Sequence, residues 1–563
     1  MAVELSGMIA FIACALTMAA PEPLVLDLRP DLPAIAAPHV PALWEGVPDG
    51  DATPGAGEIA PETAYRWLCE PGGSVALRVS VDARSGCDRA VLTVWDWHNR
   101  PVRQAGLEVP SERRIMARTA GKGAYLLTLD GFAGETCRWR RVRSVAACAD
   151  NAGKRAAWAS SKFQVGICTF PGRQSWPNDF GPAYPPGLTP EQSWRLDAEM
   201  TARTGIQLVR PDIPLAGEEG ANAWLDTTLL DAYTAECAKN GIKLDLQIGA
   251  PPPVLAKYAA VTDPSWRYPR AEEPYRRYVR ALVARYGRYA RFIEIWNEPD
   301  NLDFWRGTPE EFVTQHRWAW EEIRSAGCKL PVAPGGYCMM KPDWTPTMAG
   351  PIGKMTDWLT YHSHGDLAAL RKMLADIRRV TAEAGAAKRD VVNTEMGWAC
   401  WRLDMERMQA ATAMQKLLEC WAEGHRAALL YCARDVGGPR MRKDPDWGFI
   451  DYTFCPRFAY AALCGFIETF AGARFDRALL KEAEVTSYAF RRGGETLVTL
   501  STQVNPVQVE LTGQWRSAVL IDAMGNRTPL ASRGPLKLEA GAYPVAVVLQ
   551  AARALHVRRA GAA

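Results

Sequence analysis

The chain has 563 residues, too many for one hydrophobic core at a soft prior of roughly 150 residues per domain, so three or four units are expected. Its composition, 48% apolar and 23% charged, is that of a soluble globular protein, and a formal net charge of +3 argues for no nucleic-acid or anionic-surface partner. Residues 8–20 form an apolar run that suits the core of a signal peptide but is too short to span a bilayer. Residues 1–23 are therefore read as a signal peptide, with no integral membrane span. Export to the periplasm or the extracellular space is expected. The cytoplasm is the alternative, because the first residues carry Glu4 and no Lys or Arg, and Pro21 blocks cleavage after Ala20. The 14 cysteines include no Cys-x-x-Cys pair, so neither a zinc site nor a redox motif is indicated. Cys168, Cys432 and Cys464 lie in apolar runs where a thiol packs as a small hydrophobe, while one or two disulfides in the N-terminal domain are left open.

In chain order, residues 24–158 read as short strands: 75–81 and 90–95 alternate in polarity, and 123–129 follow a glycine turn. This spacing predicts a β-sandwich, with Trp95, Trp97 and Trp139 in its core rather than on a sugar-binding platform. From Phe163 strands alternate with helices, the pattern of a parallel sheet with crossover connections. Strands are predicted at 163–170, 206–213, 242–250, 292–296, 331–335, 358–362, 391–395 and 427–434, with helices at 190–204, 274–289, 309–326, 368–384 and 407–423. Residues 159–472 are thus read as an α/β unit, a (β/α)8 TIM barrel. Residues 473–552 return to short strands, at 487–490, 496–500, 507–511, 518–521 and 545–549, with a turn at Met524-Gly525-Asn526. They form a small C-terminal β-sandwich, and residues 553–563 are expected to be a mobile tail.

Two of the barrel strands end in a carboxylate. The apolar run Phe292-Ile293-Glu294-Ile295 leads into Trp296-Asn297-Glu298-Pro299, and Val391-Val392-Asn393-Thr394 leads into Glu395-Met396-Gly397-Trp398. Strands four and seven place Glu298 and Glu395 on the carboxyl-end rim, where (β/α)8 barrels carry their chemistry. Acetal hydrolysis needs a proton donor for the leaving oxygen and a carboxylate on the opposite face of the sugar, and a glutamate pair supplies both.

These motifs resemble the acid/base and nucleophile motifs of the clan A retaining glycoside hydrolases, most of all glycoside hydrolase family 39 and related members of family 5. Tyr278, Val279, Leu282, Arg285-Tyr286-Gly287, the run from Phe304 to Phe312 and Trp447-Gly448-Phe449-Ile450-Asp451 extend the likeness. It covers residues 160–470 well, and the flanks only in general plan. The resemblance implies Glu298 as acid/base and Glu395 as nucleophile, with carboxyl groups about 5 to 5.5 Å apart. It implies that Asn297 bonds the sugar 2-hydroxyl, that Arg210 supports the nucleophile, and that His362 faces the sugar. His364 departs from the pattern, standing where a tyrosine bonds the nucleophile. The eighth strand lacks the expected tryptophan platform, a place that Trp398, Trp401 or Trp447 can fill. Burial and the charge of Glu395 are expected to raise the pKa of Glu298, and loss of Arg210 to damage turnover more than folding.

The sequence reading is therefore a retaining glycoside hydrolase that cleaves β-glycosidic bonds through a covalent glycosyl-enzyme, with an oligosaccharide, polysaccharide or glycoside as its partner. The alternatives are a non-catalytic carbohydrate-binding protein on a decayed barrel, and a transglycosylase. No cofactor is required. No metal is expected, because no Glu or third His stands at ligand spacing from His362 and His364.

Overall fold

Eight parallel strands, Gln164–Thr169, Leu208–Pro211, Lys243–Ile248, Ala290–Ile295, Val332–Pro334, Trp358–His362, Asp390–Met396 and Ala427–Leu430, build the central sheet. The structure is a computed structural model and describes residues 22–35, 40–43, 45–159, 161–172, 184–185, 187–212, 225–249, 270–384, 389–435, 446–482, 484–503 and 505–560. The signal-peptide reading falls almost wholly outside the described residues. Counted along the chain, the strands neighbour one another in the order 5-4-3-2-1-8-7-6. The ring closes between strands five and six, where Tyr337 bridges Tyr361 and the His362 amide donates to the Tyr337 carbonyl at 3.0 Å. The strands are mostly apolar because helices cover one side and the barrel interior fills the other.

The helices begin where local chemistry starts them. Thr189 caps Pro190–Thr204 and Thr308 caps Pro309–Ser325, each in a reciprocal box with Gln192 or Glu311 and with a proline in the first turn. Glu272–Tyr286, Leu367–Glu383 and Glu406–Ala422 lie within a few residues of their predicted bounds. The second and eighth strands are shorter than predicted. Residues 431–434 leave the ladder to form rim structure, where Arg434 bridges Ile450.

The N-terminal unit packs a four-stranded sheet, ordered Leu24–Leu28, Ser111–Thr119, Ser74–Val81 and Glu58–Pro61, on a five-stranded one built around Gly123–Ala133 and Thr136–Ala147. Trp95, Trp97 and Trp139 are buried in it. Trp139 lies against Gly131, where an added Cβ would meet the indole at 2.3 Å. The C-terminal unit pairs a six-stranded sheet with a three-stranded one. Arg553–Arg559 is a strand of the latter, paired with Val507–Gln514, which corrects the expectation of a mobile tail. Leu555 and Val557 point inward between Arg553, His556 and Arg558, an alternation short and charged enough to escape notice. All thirteen described cysteines are unpaired thiols, so the disulfides left open for the N-terminal domain are absent among the described residues. Among those residues no helix is long and apolar enough to cross a membrane.

Both sandwiches dock on the barrel by paired polar groups and shared core. Trp67 Nε1 donates to the Thr453 carbonyl at 3.2 Å, and Ser144 Oγ to that of Pro456 at 2.6 Å. Gln415 Nε2, on the helix after the seventh strand, reaches the Thr502 and Ala542 carbonyls at 2.8 and 2.6 Å. On the same helix Trp421 stacks on Phe163 at 5.1 Å and meets Trp158 at 5.2 Å and Phe490 at 4.7 Å. Trp421→Ala should therefore cost about 3 to 5 kcal/mol in denaturant unfolding, as for other buried indoles. A loss under about 1 kcal/mol would mean that the C-terminal sandwich docks independently of this ring.

Candidate active site

The fourth strand ends in an unusual backbone. Trp296 and Glu298 both adopt positive φ, 78° and 41°, on either side of Asn297. Such left-handed conformations cost about 1 to 3 kcal/mol each in non-glycine residues and persist only where neighbours enforce them. Here the Trp296 amide donates to the Ile248 carbonyl at 3.0 Å, Trp296 Nε1 to that of Phe304 at 3.1 Å, and the Asn301 amide to that of Glu298 at 3.0 Å. Asp300 accepts from the amides of Cys338, Met339 and Met340 at 2.7 to 3.0 Å, tying this turn to the loop after strand five. Gly335 permits the approach, since a Cβ there would lie 2.3 Å from the Trp296 carbonyl carbon.

Arg210 is the hub. Its Nη1 donates to Glu395 Oε1 at 2.5 Å, its Nε to Glu294 Oε2 at 2.6 Å and its Nη2 to Asn297 Oδ1 at 2.7 Å. Burial alone would push the Glu395 carboxyl up, but the His362 and Arg210 charges outweigh it and hold this group at about 2. Glu395 is accordingly a carboxylate across the working pH range.

His362 lies between the two carboxylates. Its Nδ1 is 2.7 Å from Glu298 Oε1 and 3.7 Å from Glu395 Oε2, and its Nε2 is 3.1 Å from Thr394 Oγ1. Glu294 accepts from Arg210 and from the Gly336 amide, so the Thr394 hydroxyl, 2.8 Å away, donates to it and must accept from His362 Nε2–H. The second imidazole nitrogen then shares one proton with Glu298. Burial would raise the Glu298 carboxyl, yet the His362 hydrogen bond and charge bring it below its ordinary value, while the two glutamates raise His362. This corrects the expectation of a raised Glu298, because the sequence did not show that the His362 imidazole bonds it directly. The His362 side chain is 0% exposed, with Nδ1 directed at Glu298 and Nε2 at Thr394, so its contacts in this structure are to the carboxylate and the hydroxyl.

The other predicted site residues lie around this centre. His364 is 32% exposed, with Nε2 3.5 Å from Glu395 Oε2 and its ring edge-on to Tyr431 and Trp447 at 5.3 and 5.0 Å. Trp447 is half-buried above Gly397, Trp398 is half-buried, and Trp401 is 60% exposed. Four donor atoms, one each from Glu298, His362, His364 and Glu395, fall within 4.8 Å of one another. The expectation of no metal rested on sequence spacing, and in space Glu298 and Glu395 of strands four and seven come close to both histidines of strand six and its loop.

Sequence reasoning missed Glu294, Thr394, Asn301, Gly336 and Lys416. A polar residue inside an otherwise apolar parallel strand, as at Glu294 and Thr394, is the signal that could have exposed the first two. Asn301 Nδ2 donates to Glu298 Oε2 at 2.8 Å, and Gly336 leaves room for the His362 ring, which a Cβ would meet at 2.1 Å. Lys416 is buried behind the rim, donating to the Ser363 carbonyl at 2.8 Å.

No protein-family model and no curated protein matches the chain. Among solved structures, the fold is similar to that of a family 39 glycoside hydrolase from the gut symbiont Bacteroides cellulosilyticus WH2, at 16% identity and a TM-score of 0.62 over 88% of this chain and 100% of that one. A family 39 beta-xylosidase from Caulobacter crescentus aligns at 17% identity with a TM-score of 0.49, over 69% of this chain and 96% of that one. The first likeness spans nearly the whole chain and is one of fold.

Two predictions follow from the burial. Arg210→Ala leaves Glu294 and Glu395 without their cation in the barrel interior and should cost about 3 to 5 kcal/mol of stability, more than an orienting role alone implies. Unfolding curves that match the wild type would place the guanidinium outside the fold's balance. Burial lowers the Lys416 ammonium to about 7, against roughly 10.4 in the unfolded chain. The unfolded state binds this proton more tightly across that window, so the wild type should gain stability relative to Lys416→Met as pH rises from about 7 to about 10. Parallel urea stability profiles for the two proteins would contradict the assignment.

Proposed function

We propose that the protein is a retaining glycoside hydrolase acting on a β-linked glycan or glycoside. The observation that carries this reading is the meeting of Glu298 and Glu395 oxygens within 4.8 Å at the carboxyl-end rim, with Glu395 held as a carboxylate. Carboxyl groups about 5 to 5.5 Å apart suit direct attack on the anomeric carbon, whereas inversion leaves room for a water at about 6.5 to 9.5 Å. The likeness to the family 39 structure supports the same reading through the fold.

In the first step Glu395 Oε2, the oxygen not engaged by Arg210, attacks the anomeric carbon as the bond to the leaving oxygen breaks. That oxygen takes the proton shared by Glu298 and His362, delivered from Glu298. In the second step water attacks the glycosyl-enzyme, its proton returns to the Glu298–His362 pair, and Glu395 leaves. Arg210 steadies Glu395 and also fixes the Asn297 side chain through Oδ1, which leaves the Asn297 amide NH2 to donate to the sugar 2-hydroxyl. Trp401, an exposed indole among the described residues, offers a face for a pyranose.

The test is a covalent trace. A 2-deoxy-2-fluoro glycoside with a good leaving group should form a slowly hydrolysed intermediate, because fluorine destabilises the oxocarbenium-like transition states. Intact mass should rise by one glycosyl unit, mapped to Glu395 in the peptide holding residues 391–398. Azide should restore turnover to Glu298→Ala with a retained-configuration glycosyl azide as product. Labelling of any other carboxylate, in a protein that hydrolyses the parent glycoside, overturns the assignment.

A further inference from the structure

The four donors at the barrel mouth are more than a catalytic pair. Glu298 Oε1 and His362 Nδ1 are 2.7 Å apart, His362 Nδ1 and Glu395 Oε2 3.7 Å, and His364 Nε2 and Glu395 Oε2 3.5 Å. A tetrahedral zinc-class ion with ligand bonds of about 2.0 to 2.2 Å sets its ligand atoms roughly 3.3 to 3.5 Å apart. The observed separations lie on both sides of that value, and all four atoms are already within 4.8 Å of one another. Binding an ion requires the Glu298–His362 contact to open from 2.7 Å, while the His364–Glu395 separation of 3.5 Å already fits.

In a metal centre each ligand's remaining polar atom is usually held by a neighbour, and three of the four ligands here meet that need, while His364 Nδ1 has no hydrogen-bond partner among the described residues. His362 Nε2 bonds Thr394 Oγ1, which is itself bonded to Glu294. Glu395 Oε1 is held by Arg210 and Glu298 Oε2 by Asn301, which leaves Oε2 of the former and Oε1 of the latter turned toward the centre. The partly exposed His364 ring gives solvent access to the centre. Two imidazole nitrogens and two carboxylate oxygens select a borderline transition cation over magnesium or calcium, which take oxygen donors. The two carboxylates balance its charge. His364 is decisive, because a tyrosine at that place, as the family resemblance implies, would supply no imidazole.

We propose that Glu298, His362, His364 and Glu395 bind one divalent cation of the zinc class, and that the ion blocks the two carboxylates from substrate. The block rests on the glycosidase reading, whereas the binding does not.

The test uses the full chain, stripped with chelator and titrated with Co2+ as a spectroscopic probe and with Zn2+ by calorimetry. One ion per chain is expected, with the strong visible d–d absorption of a four-coordinate nitrogen and oxygen site. His364→Ala and Glu395→Gln, shown folded by circular dichroism and melting temperature, should each weaken Zn2+ binding by roughly tenfold or more. If the protein hydrolyses a glycoside, Zn2+ should inhibit it competitively, and chelator should restore the rate. If no glycoside is turned over, the Co2+ spectrum and the calorimetry still decide the binding. Absence of stoichiometric binding, a Co2+ spectrum dominated by thiolate charge-transfer bands, or affinity unchanged in both variants overturns the proposal.

Discussion

A single buried guanidinium sets the terms for the barrel interior. Arg210 on strand two satisfies Glu294 and Asn297 from strand four and Glu395 from strand seven, with Asp245 of strand three 3.6 Å away. The carboxyl groups outnumber the cations there. Asp245 is driven well above its ordinary value by burial and by Glu294, and neither of its oxygens has a hydrogen-bond partner among the described residues. Burying ions costs several kcal/mol each unless geometry and hydrogen bonds compensate, so the positions of Glu298 and Glu395 are inseparable from this network.

The proton economy follows from the same crowding. His362 has one nitrogen committed to Thr394 and the other directed at Glu298, so the pair holds a single labile proton beside a carboxylate that holds none. The left-handed backbone at Trp296 and Glu298 brings the acid to that imidazole, and Gly335 and Gly336 allow strand five to pass close enough to brace it. Strain at the strand end and the absence of Cβ atoms opposite are two parts of one device.

The flanking domains act on this centre through one helix. Glu406–Ala422 follows the strand that carries Glu395 and is buried along most of its length. Lys416 on it holds the Ser363 carbonyl between the two rim histidines, while Gln415 and Trp421 engage the C-terminal sandwich. The Asn99 amide of the N-terminal sandwich donates to the Asp404 carbonyl just before the helix begins, at 2.7 Å.

The alternation of apolar strands with helices, the strand-end positions of Glu298 and Glu395, and the burial of Trp95, Trp97 and Trp139 were legible in the sequence itself, because each follows from the local pattern of residues in the chain. The short strand Arg553–Arg559 was not legible, since its inward pair Leu555 and Val557 gains meaning only from the partner strand Val507–Gln514. The state of the site also lay beyond the sequence. Which partners His362 meets, which charges stand beside Glu298, and how close two histidines and two glutamates come depend on the meeting of strands two, four, six and seven. Electrostatic interaction depends on distances of a few ångströms and on exclusion of water, and only the closed barrel specifies either.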